Sequence, residues 1–266
     1  MKQDIIAQLS KLRATSPLIQ NITNFVVMNN TANAVLAIGA SPMMVHAHKE
    51  AQSSVAIASA LVINIGTLDD YWAESMILAA SKAHEIGKPW ILDPVGAGLS
   101  TFRNDVLERL ISFRPTVIRG NASEIMSLET QASHGKGVDS ANSSDQALDA
   151  AKWINKNYGS IVCISGEIDY VVTADNVFAI KNGHPLMTKV TGLGCSATAV
   201  TGAFLGLNEN PLLETLAGIS LFSLAGELAQ EKAKGPGTLQ MELLDALYLL
   251  DEKTINERLK IEEING

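Results

Sequence analysis

The stretch Thr188-Lys-Val-Thr-Gly-Leu-Gly-Cys-Ser-Ala197 decides how the rest of this chain is interpreted. It follows several short strand-like segments and opens into a small-residue helical stretch from Cys195 to Leu207, which predicts a strand-to-helix turn. Such a turn directs free backbone N–H groups and the positive end of the helix dipole at one point, which suits a phosphate or an oxyanion. A second interpretation stays open, in which Gly192 and Gly194 only turn the chain and Cys195 fills a small core site.

Length and composition favour one large α/β domain. The 266 residues are 47% hydrophobic but only 5% aromatic. The core must therefore be built mainly from Ala, Val, Ile and Leu, as when helices pack on a mostly parallel sheet. A net charge of −8 argues against nucleic-acid binding, because contacts to a phosphate backbone need clustered Lys and Arg. We predict a single domain over residues 1–266.

The cysteines and the first residues indicate a cytoplasmic protein. Cys163 and Cys195 form neither a disulfide framework nor a spaced set of metal ligands, which fits a reducing compartment. The start, Met-Lys-Gln-Asp-Ile-Ile, lacks the apolar core of a signal peptide, and the longest apolar runs fall short of a bilayer span. We therefore expect a cytoplasmic protein with no membrane segment.

Polar residues follow apolar strand-like segments at several points. Asp93 ends the strand that begins at Trp90, and ligands of open parallel sheets bind beside such strand ends. A carboxylate there is suited to hold Mg²⁺, which prefers a few carboxylates together with phosphate oxygens. Asp93 is equally well explained as an N-cap or turn aspartate.

Residues 116–124 repeat the plan of strand, turn and helix. Arg119 could bind a phosphate, and Asn121 and Glu124 are spaced so that both project from the first turn of the helix. The same spacing describes a capping box, which is the stronger local explanation. Capping and ligand binding do not exclude each other.

Two earlier segments can be interpreted either as parts of a binding site or as ordinary capping and core residues. Thr23 and Asn24 either line a site at a strand end or cap the helix predicted over residues 27–38. Met43 and Met44 are predicted on opposite faces of a strand. One of them could form a soft wall for an apolar ligand, although Met is more often core filler.

The later part of the chain is predicted to change character. Residues 131–143 are polar and glycine-bearing, so we expect a mobile loop that covers a site. A charged tail from residue 251 is expected to form a solvated, fraying last helix. Short antiparallel strands are predicted at residues 160–165, 169–174, 177–181 and 185–190.

Six segments match one known family in the same order across nearly the whole chain. They are Gln20-Asn-Ile-Thr-Asn24, Ala40-Ser-Pro-Met-Met44, Asp93-Pro-Val-Gly96, Arg119-Gly-Asn-Ala-Ser-Glu124, Ser165-Gly-Glu-Ile-Asp-Tyr170 and Thr191-Gly-Leu-Gly-Cys195. Together they resemble the hydroxyethylthiazole kinase family. The resemblance implies a ribokinase-like three-layer α/β sandwich, with a mostly parallel central sheet flanked by helices. It also implies phosphorylation of the primary alcohol of 4-methyl-5-(2-hydroxyethyl)thiazole with ATP and Mg²⁺, in thiamine biosynthesis and salvage.

The resemblance further implies a set of site residues and an assembly. The family is typically a homotrimer with its thiazole pocket between subunits, so the segment around Asn24 and Met44 would face residues 188–197 of a neighbour. At the position of Ser165 the family often has Thr, and Ser keeps the hydroxyl. The implied contacts are Met44, Gly192 and Asn24 for the thiazole, Arg119, Ser165 and Gly194 for ATP, and the carboxylates of Asp93 and Glu124 for magnesium.

Cys195 departs from most ribokinase-like kinases, which carry an Asp at this turn as a base for the substrate hydroxyl. A thiol with an ordinary pKa of about 8.5 can be acidified at a helix N-terminus, yet it is a weak candidate base for an alcohol. We expect Cys195 at the catalytic position and slow catalysis, since positioning carries most of phosphoryl transfer. Two alternatives stay open: a related kinase for another small alcohol such as hydroxymethylpyrimidine, and a non-catalytic nucleotide- or thiazole-binding protein.

Overall fold

The computed structural model describes residues 1–132 and 143–264, and it gives these ranges one sheet with helices on both faces. The strands are β1 Leu18–Ile22, β2 Ser41–Met43, β3 Ala60–Asn64, β4 Trp90–Asp93, β5 Val117–Asn121, β6 Ile161–Ser165, β7 Asp169–Val172, β8 Val177–Ile180 and β9 Ile261–Ile264. The helices are α1 Lys2–Thr15, α2 Met28–Ile38, α3 His48–Ile57, α4 Asp70–Glu85, α5 Thr101–Ser112, α6 Ala122–Ala132, α7 Ser143–Tyr158, α8 Leu193–Leu205, α9 Pro211–Lys232, α10 Pro236–Leu249 and α11 Glu252–Arg258, with a 3₁₀ helix at Pro185–Lys189.

The sheet is parallel over most of its width and antiparallel at one side. Among the described residues its order is β2-β1-β3-β4-β5-β6-β7-β8-β9. Neighbours from β2 to β6 pair in parallel, and β6 to β9 pair antiparallel. The polar ends of the parallel strands therefore meet at one edge, as the sequence predicts.

Alternating strand residues divide the core into two layers. Leu61 and Ile63 of β3 pack among α3 to α7, whereas Val62 packs with α1, α2 and α8 to α11. Successive side chains of a strand point to opposite faces, so a strand covered on both faces is apolar at every position. The predicted three-layer α/β architecture is confirmed.

The strand predicted at residues 185–190 is wrong, because this segment begins with a 3₁₀ helix. Pro185 has no N–H to donate to a ladder, and the ring of His184 accepts a hydrogen bond from the N–H of Leu186 at 3.1 Å. These two features start a helical turn where the sequence pattern suggests a strand.

The charged tail is also more ordered than predicted. Asp251 caps α11 by accepting from the N–H of Thr254 at 2.8 Å, and the chain then forms β9 against β8. Helix α5 has no counterpart among the sequence predictions. The covering loop predicted at residues 131–143 lies almost wholly outside the described residues.

Helix α9 packs in the core against α8. It is long and apolar enough to cross a membrane, yet 78% of its most apolar 18-residue window is buried inside the protein. Gly218 lies at the contact, where an added Cβ would stand 2.5 Å from Cα of Thr201 on α8. The close packing of these two helices therefore requires glycine at this position.

We expect Gly218→Ala to lower the free energy of unfolding by about 1–3 kcal/mol, the usual cost of overpacking a core. The methyl group would meet backbone rather than a flexible side chain, so the two helices must move apart. Urea unfolding would measure the change. Gly237→Ala is the matched control, because no described atom lies within 4 Å of its added Cβ on α10. Equal stability of the two variants would contradict the packing argument.

Candidate active site

Polar side chains from neighbouring strands meet at the C-terminal edge of the sheet. Asn64 and Asp93 are register partners at the ends of β3 and β4. Asn121 and Ser165 are register partners at the ends of β5 and β6. Arg119 reaches the same edge from β5. This edge is where open parallel sheets bind ligands.

A chain of hydrogen bonds runs along this edge. Nδ2 of Asn24 donates to Oδ1 of Asn64 at 2.8 Å, and Nδ2 of Asn64 donates to Oδ2 of Asp93 at 2.7 Å. Thr198 Oγ1 donates to the same carboxylate oxygen at 2.7 Å. At the other end, Nδ2 of Asn24 lies 3.6 Å from Sγ of Cys195. The chain thus connects the first turn of α8 with the buried acid of β4.

The surrounding donors fix the orientation of both amides. Oδ1 of Asn64 also accepts from the N–H of Gly66 at 3.0 Å, while its Nδ2 faces a carboxylate. Oδ1 of Asn24 accepts from the N–H of Val26 at 3.1 Å. Asn24 therefore presents an N–H, not its carbonyl, to Cys195. Thr23 contributes its backbone oxygen, which accepts from Nε1 of Trp72 at 2.8 Å.

Asp93 is a buried carboxylate with one oxygen held and one open. Burial raises the pKa of Asp93 to about 6, although the charge of Arg119 and the hydrogen bonds from Thr198 and Asn64 act in the opposite direction. Both donors approach Oδ2, and the described residues offer Oδ1 no donor. Oδ1 is therefore the atom of Asp93 that remains for a ligand.

Glu124 forms the predicted capping box and also contacts the next loop. Its Oε2 accepts from the N–H of Asn121 at 2.8 Å, and its own N–H donates to Oδ1 of Asn121 at 2.9 Å. Its Oε1 accepts from the N–H of Gly96 at 3.0 Å. The charge of Glu124 also helps to raise the pKa of Asp93, after the larger effect of burial.

The two carboxylates suit a magnesium ion shared with a ligand rather than a closed metal cage. Over the described ranges, no group of three His, Cys, Asp or Glu residues is arranged to hold a metal. Mg²⁺ is usually bound by one or two carboxylates together with phosphate oxygens and water. The open Oδ1 of Asp93 and the second lone pairs of Glu124 are donors of this kind.

Arg119 is buried beside a pocket of about 390 Å³ at the parallel strand ends. Its Nη1 donates to the backbone oxygen of Gly194 at 2.9 Å, and its buried Nε has no partner among the described residues. Ser165, Gly194 and Arg119 all line this pocket, with residues of the 3₁₀ helix and α9 opposite. The structure thus brings together the three residues that the sequence predicts for ATP.

The glycine turn lies at the predicted position, but the segment that leads into it has a different secondary structure. Gly192 is the N-cap of α8 and has a φ of 80°, in the left-handed region that favours glycine. An added Cβ there would overlap Cγ1 of Val27. The segment before the turn is the 3₁₀ helix, not a strand, so the predicted strand-to-helix turn is wrong. Cys195 lies within the first turn of α8.

The thiol of Cys195 is not acidified by its place at the helix N-terminus. Burial raises the pKa of Cys195 to about 11, and the charge of Asp93 adds to the increase. Hydrogen bonds from Asn64 and Asn24 oppose this change but do not reverse it. The acidification that a helix N-terminus can bring about is therefore absent at Cys195, and the thiol is protonated at neutral pH.

Asn24 reaches the glycine turn of its own chain. It contacts Cys195, and Val27 lies against Gly192. Asn24 is thus placed at residues 188–197 of its own chain, and the contact of its segment with the same residues of a neighbouring subunit stays a prediction. Met44 follows β2 by one residue and is half-buried.

Three residues of this edge are missing from the sequence predictions. Asn64 ends an apolar strand just as Asp93 does, so the same signal would have found it. Arg103 joins two loops by donating to the backbone oxygens of Val95 at 2.9 Å and Gly66 at 3.0 Å. Neither Arg103 nor Thr198 has a local sequence signal that separates it from other helix residues.

Comparisons with known proteins agree over nearly the whole chain. The sequence model of the hydroxyethylthiazole kinase family matches residues 9–253. A relative from Syntrophus aciditrophicus (strain SB), named hydroxyethylthiazole kinase, is 49% identical over 257 residues, covering 96% of this chain and 95% of the relative. The solved structure of the hydroxyethylthiazole kinase protein from Pyrococcus horikoshii OT3 is 41% identical with a TM-score of 0.92, covering 99% of this chain and 100% of that one.

A solved structure with much lower sequence identity shares the fold. A ribokinase-like superfamily protein from Enterococcus faecalis V583 is 15% identical with a TM-score of 0.66, covering 97% of this chain and 94% of that one. At this identity the likeness shows the fold alone, and it confirms the predicted ribokinase-like architecture. With the full-length sequence matches, it follows that the chain belongs to the hydroxyethylthiazole kinase family.

Proposed function

We propose that this protein transfers the γ-phosphoryl group of ATP to the hydroxyl of 4-methyl-5-(2-hydroxyethyl)thiazole, in thiamine biosynthesis or salvage. The observation that carries the proposal is the hydrogen-bond chain from Asn24 and Cys195 to Asp93 and Thr198. It joins the end suited to the alcohol to the end suited to the phosphates. The whole chain, residues 1–266, would act as one cytoplasmic kinase domain.

The nucleotide would bind in the pocket lined by Arg119, Ser165 and Gly194. A buried guanidinium is a strong partner for phosphate oxygens, because its N–H groups form a rigid fork and little water competes. The unpartnered Nε of Arg119 supports this role. The backbone amides at the start of α8, after Gly192, would receive the transferring phosphoryl group.

Magnesium would be held by Asp93 through its open Oδ1 and by Glu124. A bound Mg²⁺ ion would neutralise charge on the nucleotide phosphates. Neighbouring residues orient the two carboxylates. Asn64 and Thr198 donate hydrogen bonds to Oδ2 of Asp93. The backbone N–H groups of Gly96 and Asn121 donate to Glu124.

The thiazole alcohol would bind beside Cys195, with Met44, Gly192 and Asn24 as contacts. The N–H that Asn24 presents to Cys195 is suited to donate to the hydroxyl oxygen of the substrate, since a neutral thiol is only a weak acceptor. Because Cys195 is protonated at neutral pH, it would shape the pocket rather than remove the hydroxyl proton. Phosphoryl transfer depends mainly on positioning and charge neutralisation, so slow turnover follows without a strong base.

The proposed assembly is a homotrimer with active sites between subunits. Phe25 and Val26, next to Asn24, are 55% and 57% exposed. Two adjacent apolar side chains exposed at the mouth of a site are typical of a subunit contact. A neighbouring subunit that covers them would close the acceptor pocket from outside.

Purified protein with ATP, Mg²⁺ and hydroxyethylthiazole is expected to release ADP, beside a control without acceptor that releases little. Hydroxymethylpyrimidine serves as the competing acceptor in a parallel reaction. ADP only with the pyrimidine would keep the kinase and change its substrate. Thiazole binding without ADP would contradict the kinase proposal in favour of a binding protein.

Replacing Cys195 tests its place beside the hydroxyl. We expect Cys195→Asp to retain or raise kcat, because a carboxylate is a stronger base than a protonated thiol. Cys195→Ala is expected to lower kcat by less than about tenfold, since packing but no base is lost. Initial rates with varied thiazole would separate kcat from KM. An unchanged kcat in the alanine variant would remove the thiol from the reaction.

The buried charge of Asp93 should reduce stability in the absence of ligands. With a folded pKa of about 6 and an ordinary value of 3.8, the ionised carboxylate costs about 1–3 kcal/mol above pH 6. Asp93→Asn is therefore expected to stabilise the ligand-free protein by that amount at pH 7. The gain should disappear as the pH falls below about 4, where the acid is protonated in both states. Urea unfolding at pH 7 and pH 4 would measure it, and a less stable variant at pH 7 would contradict the argument.

A further inference from the structure

Thr198 lies between the two opposite charges of the site. It is fully buried on α8. Its Oγ1 lies 2.7 Å from Oδ2 of Asp93 and 3.4 Å from Nη1 of Arg119. The backbone oxygen of Gly194, at 3.2 Å, is a second possible acceptor for its single hydrogen. The carboxylate is nearer and charged, so Thr198 donates to Asp93 and accepts from Arg119.

Asp93 and Arg119 do not pair directly. Among the described residues, none of the ion pairs joins them, although both side chains are buried at the same edge. Opposite charges attract strongly when they are shielded from water, so a direct pair would be the simplest arrangement. Instead, the Thr198 hydroxyl donates a hydrogen bond to Asp93 and accepts one from Arg119.

We propose that Thr198 is a positioning residue whose hydroxyl keeps Asp93 and Arg119 apart, so that each stays available to the substrate complex. The separation leaves Oδ1 of Asp93 for a cation and Nε of Arg119 for a phosphate oxygen. A direct pair would neutralise both groups against each other and weaken the site for a nucleotide. This inference rests on the proposed function, because the ligand that needs both charges is a nucleotide triphosphate.

A purely structural role for Thr198 would be a hydrogen bond to its own helix. Thr201 makes such a bond, donating to the backbone oxygen of Ala197 at 2.8 Å, and it too is fully buried on α8. Thr198→Val and Thr201→Val are therefore matched substitutions, with equal loss of a buried hydroxyl on one helix. Only the first removes a contact to charged groups.

The first measurement is binding of a fluorescent ATP analogue in EDTA, which needs neither metal nor turnover. We expect Thr198→Val to weaken binding roughly tenfold or more, as when a hydrogen bond to a charged group is lost. Thr201→Val should bind like the wild type, and Thr198→Ser, which keeps the hydroxyl, should restore most of the affinity. Equal affinities for the two valine variants would overturn the proposal, whatever their thermal stabilities.

A double-variant cycle tests whether Arg119 is captured by Asp93. Asp93→Asn removes a negative charge and should strengthen metal-free binding in any background. If Thr198 separates the two charges, this gain should be several-fold larger in the Thr198→Val background, because the substitution also releases Arg119. Equal gains in the two backgrounds would overturn the proposal.

The same proteins, assayed for thiazole-dependent ADP release, separate this inference from the proposed function. An active wild type whose two valine variants bind nucleotide equally would overturn only the role of Thr198. An inactive wild type with a binding loss specific to Thr198→Val would contradict only the kinase proposal. A wild type that neither binds the analogue nor releases ADP would overturn both.

Discussion

The structure of this site depends on keeping one buried carboxylate, that of Asp93, among fixed dipoles. A charge removed from water needs polar partners, or it takes up a proton. Here the partners come from the neighbouring strand β3 and from α8, through Asn64 and Thr198. Because each partner is committed to Oδ2, the arrangement stabilises the acid and still leaves it one free oxygen. The geometry of the sheet edge follows from this constraint.

Helix α8 brings Thr198 to Asp93 because the helix packs closely against the sheet. An added Cβ at Gly202 would overlap Cγ2 of Val62 on β3. Thr198 lies one turn earlier on the same face of the helix, which places it over the strand ends. A larger residue at position 202 would lift α8 and separate Thr198 from Asp93. Core packing and site geometry are therefore coupled through a single close approach.

Sequence patterns predict those parts of the molecule that depend on local chemistry. Apolar strands with polar ends predict the parallel sheet and the edge with Asp93 and Arg119, and the spacing of Asn121 and Glu124 predicts a capping box that the structure contains. Features that depend on distant partners were not predictable in this way. The strand β9 exists because it pairs with β8, some eighty residues earlier, and the contact of Thr198 depends on how α8 crosses the sheet.

Cys195 illustrates how magnitudes decide between two opposing effects. A helix N-terminus stabilises a nearby anion by about 0.3–1 kcal/mol at an exposed position. Burial and the charge of Asp93 act against the thiolate and raise the pKa of Cys195 to about 11, so the dipole is outweighed. The acid that suits the site for a cation thus keeps its neighbour neutral. The consequence is a division of the site, with fixed charges at the phosphate end and neutral donors, chiefly the N–H of Asn24, at the end suited to an alcohol.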